Sequence, residues 1–126
     1  MTNAEVLRRY ADAWLRGDVA TLVGSYHDEI SLHWYGRNAL AGEHRGKAAA
    51  LTALADLQTR VSRKLVAVDD LFANDAGGVL LVRERFERDG RVAELPRVLV
   101  FRVRDEKIAE CRVYDRDQRE VDAWLA

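Results

Sequence analysis

The chain has 126 residues, 48% hydrophobic and 33% charged, with a formal net charge of −1 and an isoelectric point near 6.3. Such a composition fits one folded domain over residues 1–126 and argues against disorder. The charge balance removes the usual electrostatic case for a nucleic-acid or anionic-membrane partner. Cys111 is the single cysteine, so an intrachain disulfide and a cysteine metal cluster are excluded. The opening "MTNAEVLRRY" has no apolar run fit for a signal peptide, and a cytoplasmic location is the expectation.

In chain order, Thr2-x-x-Glu5 is a capping-box signature, and Val6, Leu7, Tyr10, Trp14 and Leu15 recur at helical spacing. Gly17 suits a left-handed helix exit, and Asp18 can cap a second short helix whose stripe is Val19, Leu22, Val23 and Tyr26. "EISLHWYG" alternates as a strand, with Ile30, Leu32 and Trp34 on one face and Ser31, His33 and Tyr35 on the other. "GRNALAGEHRG" reads as a loop, and the Ala- and Leu-rich run after Gly46 as a third helix. From Val61 the period changes to two, with strands expected at about 61–72, 78–88, 91–103 and 108–115. The tail residues Val121, Trp124 and Leu125 suggest a short docked turn. Helices followed by a strand meander predict an α+β domain, a curved antiparallel sheet with helices on one face.

The Asp89-Gly90 turn fixes a register. A two-residue loop pairs Arg88 with Arg91, so Leu80, Val82, Glu84, Phe86, Ala93, Leu95, Arg97, Leu99 and Phe101 share the more apolar face. Ala109, Cys111, Val113 and Asp115 continue that face, and a three-residue turn sets Asp115 against Arg97. Glu84, Arg97 and Asp115 are therefore expected together on a greasy concave surface. Glu84 and Arg97, as diagonal neighbours roughly 7–8 Å apart by backbone, are within reach of each other. Two carboxylates sharing an Arg fork make burial tolerable. The same residues also fit a purely structural salt-bridge network, or a bulge near Pro96 that turns Arg97 outward. On the outer face Leu81, Val98 and Val100 stand among charges, which favours a sheet-to-sheet homodimer. "HDEISLH" looks metal-like, but strand alternation splits its residues between faces, so no metal site is expected. His33 belongs to the outer face, and His44 to a loop near the pocket mouth.

"RRYADAWLRGD", "SYHDEISLHW", Gly46 before an Ala-rich helix, "FERDG" and "VLVFRVRDEKIAECRVYD" together resemble the nuclear transport factor 2-like, SnoaL-like domains over nearly the whole chain. That resemblance implies a cone: a strongly bent sheet around three N-terminal helices, enclosing a pocket, usually in a dimer. The ketosteroid isomerases are similar relatives. Tyr10 falls at the position of their oxyanion-hole tyrosine, whereas Trp34 replaces the general-base aspartate and Leu99 the protonated aspartate, so steroid isomerisation is not expected. Limonene epoxide hydrolase-like members use an Asp-Arg-Asp set. Arg97 and Asp115 resemble two of its members, and Glu84 is a candidate for the third in place of Leu99.

The resulting expectation is a cofactor-independent acid/base enzyme of cyclase, isomerase, dehydratase or epoxide hydrolase type, acting on a small hydrophobic or oxygenated molecule. Asp115 and Glu84 transfer protons, Arg97 orients them, and Tyr10 donates to a substrate oxygen. Burial and the second negative charge are expected to raise one carboxylate's pKa. Trp14, Trp34, Phe86, Leu99, Phe101, Cys111 and Val113 form the pocket wall. The competing expectation is a non-catalytic ligand-binding or dimerisation domain of the same fold. A deep cavity with a polar floor favours the first, and a cavity filled by Trp14, Trp34 and Phe101 the second.

Overall fold

The computed structural model describes residues 1–126. Helix α1 (Asn3–Arg16) begins at Thr2, whose side chain accepts from the Glu5 amide while the Glu5 carboxylate reciprocates. It ends at Gly17, whose φ of 69° is a left-handed conformation that glycine adopts at least cost. Its apolar stripe buries Val6, Leu7 and Tyr10 against the sheet. Helix α2 (Val19–Gly24) is capped by Asp18 through the Thr21 amide. Tyr26 does not continue that helix, because the chain turns at Ser25 and Tyr26 opens strand β1 (Tyr26–Trp34).

Strand β2 (Gly42–Arg45) lies within the stretch expected to be loop. It is exposed and pairs only with β1, and its four residues are too few for alternation to register. Helix α3 (Lys47–Arg60) then packs Ala50, Ala53 and Leu57 inward. The meander follows as β3 (Ser62–Ala73), β4 (Gly77–Arg88), β5 (Arg91–Arg104) and β6 (Lys107–Asp115). The tail is a true helix, α4 (Gln118–Trp124), capped by Asp117 and held by buried Val121 and Trp124.

The sheet order is β2-β1-β6-β5-β4-β3. It is antiparallel throughout except that β1 runs parallel to β6. A parallel pair needs a long crossover, supplied here by all the chain between the two strands. The sheet curves without closing, and its concave side holds α1, α2 and α3.

The predicted β4–β5 register holds: Arg88 faces Arg91, Glu84 faces Leu95 and Val82 faces Arg97, with no irregularity at Pro96. Arg97 consequently stays on the concave face. For β5–β6 the predicted pairs Phe101–Cys111, Leu99–Val113 and Arg97–Asp115 are also present. Their cause differs from the expectation. A two-residue turn, Asp105-Glu106, both with positive φ, is followed by a bulge that restores the register.

Candidate functional site

Three adjacent strands bring ionisable groups to one place. Arg97 on β5 donates from Nη1 to Glu84 Oε2 on β4 at 2.7 Å. It also donates from Nε and Nη2 to the two oxygens of Asp115 on β6, at 2.6 and 3.1 Å. The side chains of Glu84, Arg97 and Asp115 are 1%, 5% and 4% exposed, so all three are shielded from water. Sequence reading missed a fourth member. Arg63 on β3 places Nε 3.2 Å from Glu84 Oε1 and its guanidinium 5.3 Å from the Trp14 ring centroid. Its place was readable, because Arg63 shares the parity of buried Val61 and Leu65 and lies diagonal to Glu84 across β3–β4.

The Arg97 fork satisfies both oxygens of Asp115 and one of Glu84. The other, Glu84 Oε1, is buried and accepts no hydrogen bond. Burial pushes the Glu84 carboxyl up, but Arg63 and Arg97 together outweigh it and hold the group below the ordinary glutamate value. The expected raised carboxylate is thus corrected at Glu84: two cations face it, and the second carboxylate lies across Arg97. Both oxygens of that carboxylate, Asp115, are taken by the guanidinium.

The second polar element is a tyrosine pair. Tyr10 Oη and Tyr26 Oη lie 2.7 Å apart, so one donates to the other and the accepting hydroxyl keeps its proton free for a third group. Burial raises Tyr10 well above the usual tyrosine value and Tyr26 to about 12. Both are therefore neutral donors at physiological pH. Tyr26 was hidden because its spacing matched the α2 stripe.

Tyr10, Tyr26, Glu84, Arg63 and Arg97 line one small chamber, with Trp14, Trp34, Leu99, Cys111 and Val113 in its apolar wall. The chamber holds about 30 Å³, room for about two waters. Tyr10, Trp14, Tyr26, Leu54 and Arg63 also line a groove of about 630 Å³ that opens to the surface between α1, α2 and α3. Trp14 and Leu54 are thus among the residues that border both groove and chamber.

Three expected site residues stand elsewhere. Asp115 lies behind Arg97 in a separate small void beside Val121 and Leu125, because β6 ends there and α4 folds over it. Phe86 packs under the Arg97 guanidinium, 5.7 Å away, and against Trp124. Phe101 packs edge-on to Tyr10 behind the wall. Burial raises the Cys111 thiol to about 12, so it is not a nucleophile at neutral pH. His44 packs edge-on to Trp34 and bonds the Leu40 carbonyl. His33 meets Ser31 and lies 3.8 Å from Glu43, away from the chamber. No helix is long and apolar enough to cross a membrane.

Comparison with known proteins gives consistent relatives. An uncharacterized Mycobacterium tuberculosis protein is 26% identical over 98% of this chain and 96% of its own. A Xanthomonas campestris protein of cystatin-like fold superposes with a TM-score of 0.93 at 24% identity, covering 100% of this chain and 99% of that one. TerC, crystallised with polyporic acid, gives 0.84 at 18% over 98% and 97% of the two chains. An epoxide hydrolase of M. tuberculosis, like limonene epoxide hydrolase, gives 0.73 at 20% over 98% and 88%. The SnoaL-like domain model matches residues 7–111. The cone, its pocket and that match agree, and the chain belongs to the SnoaL-like domain family of the nuclear transport factor 2-like fold.

Proposed function

We propose that this protein is a cofactor-independent acid/base catalyst acting on a small oxygenated organic molecule. The observation that carries this reading is the buried Glu84 Oε1, which pairs with Arg63 but accepts no hydrogen bond and lines the same chamber as the Tyr10–Tyr26 pair. Glu84 Oε1 accepts a proton from carbon, hydroxyl or water. The free tyrosyl proton bonds the substrate oxygen on which negative charge develops. Arg97 holds Glu84 in place, and Asp115 in turn holds Arg97, which makes Asp115 a positioning residue. Isomerisation next to a carbonyl, intramolecular cyclisation, dehydration and epoxide opening all use this pairing of acceptor and donor. TerC's crystallisation with polyporic acid supports a small organic ligand for the fold.

The small chamber means that a substrate reaches it only as bordering side chains, Trp14 and Leu54 among them, move aside. That same smallness is the observation that favours the second reading, a ligand-binding domain without chemistry.

Turnover of a panel of ketones, enols and epoxides, measured for wild type, Glu84→Gln and Tyr10→Phe/Tyr26→Phe, separates the two. The acid/base reading expects Glu84→Gln to lower kcat by roughly 10²–10⁴-fold. Turnover indifferent to Glu84 and to both tyrosines overturns it.

The protein acts as a homodimer through the outer sheet face. Val66, Val98 and Tyr114 are 39%, 37% and 43% exposed there, and Tyr114 stacks on Tyr35 with ring centroids 5.1 Å apart. Sedimentation of wild type against Val98→Lys/Tyr114→Lys tests this, with a monomeric double variant expected and a monomeric wild type contradicting it.

A further inference from the structure

The charges around the groove and chamber are lopsided in a protein of net charge −1. Arg16, Lys64 and Arg63 line the groove with no carboxylate among its lining residues, and Asp18 pairs with Arg16 just outside the lining. Arg97 adds a fourth cation in the chamber, where Glu84 is the only acidic residue. Asp115, the second carboxylate on Arg97, sits behind it in its own void.

Of the two guanidinium groups that line the chamber, Arg63 is the less satisfied by the protein. Its side chain is 11% exposed, its one ion pair is through Nε, and it lines both compartments. Its remaining N–H groups are free to form the planar two-pronged contact that suits a carboxylate or an ionised enol. Most of the remaining groove lining is apolar, including Leu15, Val19, Leu22 and Leu51.

We propose, building on the acid/base reading above, that the substrate is an amphipathic organic acid bound as its anion. The acidic group meets Arg63 where groove and chamber join, and the apolar body lies between α1, α2 and α3. Arg63 and Arg97, both shielded from water beside apolar walls, focus positive potential onto such a ligand.

Calorimetry at pH 7 and low salt, using 2-naphthoate and its neutral counterpart 2-naphthylmethanol, tests the proposal without turnover. Wild type is expected to prefer the anion by about tenfold or more. Arg63→Met should abolish that preference while leaving the neutral probe's affinity, and Arg63→Lys should retain part of it. Glu84→Gln should strengthen anion binding, because it removes the only negative charge in the chamber. Equal affinity of wild type for the two probes overturns the inference, as does a folded Arg63→Met protein with the preference intact. If Glu84-dependent turnover persists without any anion preference, only this inference falls. If the preference holds but turnover ignores Glu84, only the acid/base reading falls.

Discussion

Glu84 is 1% exposed and lies between two guanidinium groups, so its replacement tests the cluster's energetics directly. Glu84→Gln leaves Arg63 and Arg97 facing each other with one carboxylate fewer, and should cost about 3–5 kcal/mol of folding stability. Chemical denaturation at pH 7 measures it. The pH dependence carries a definite sign. The folded-state pKa of Glu84 is lowered from 4.5, so the folded chain binds this proton more weakly than the unfolded chain does. The stabilisation is complete above about pH 4.5 and is lost as pH falls through the folded-state value. The stability gap between wild type and Glu84→Gln should therefore narrow in denaturation curves taken below that range. At the alkaline end Tyr26 titrates at about 12, so no loss of the tyrosyl donor is expected in a pH–rate profile through pH 9.

Among the elements, the β4–β5–β6 meander fixes the site, and its legibility in the sequence followed from turn chemistry. Asp89-Gly90 admits positive φ at both positions, so one dipeptide sets the register of two strands and the convergence of Glu84 with Arg97. Asp115 was registered correctly but for another reason, since a bulge compensated for a shorter turn. What stayed hidden depended on distant contacts. Strand β2 has only β1 to pair with, Tyr26 fits helical spacing as well as strand start, and nothing local says that α4 closes over Asp115. Two substitutions test the elements themselves. Thr2→Ala removes the α1 capping box and should cost about 1 kcal/mol, read by thermal or urea denaturation. Gly77→Ala at the start of β4 would put a Cβ 1.9 Å from the Phe101 carbonyl oxygen. Backbone must move there, and a marked drop in thermal midpoint is expected, larger than that of Thr2→Ala.

For the whole molecule, the cone divides labour between its two sides. The concave side holds an ionised carboxylate, a hydroxyl pair and two guanidinium groups, with Trp14 and Leu54 bordering the groove, while α4 lies beside Asp115 on the far side of Arg97. The chamber's small volume, about 30 Å³ beside Trp14, implies that ligand binding is slowed by side-chain rearrangement, and Trp14→Ala should raise the association rate in stopped-flow measurements. The most direct test of the account is a crystal structure of the protein with 2-naphthoate or a turned-over substrate. The account predicts a widened chamber, with a ligand oxygen on Tyr10 or Tyr26 and a ligand hydrogen within reach of Glu84 Oε1. A ligand seated wholly outside, with the chamber closed and Glu84 Oε1 untouched, would contradict it.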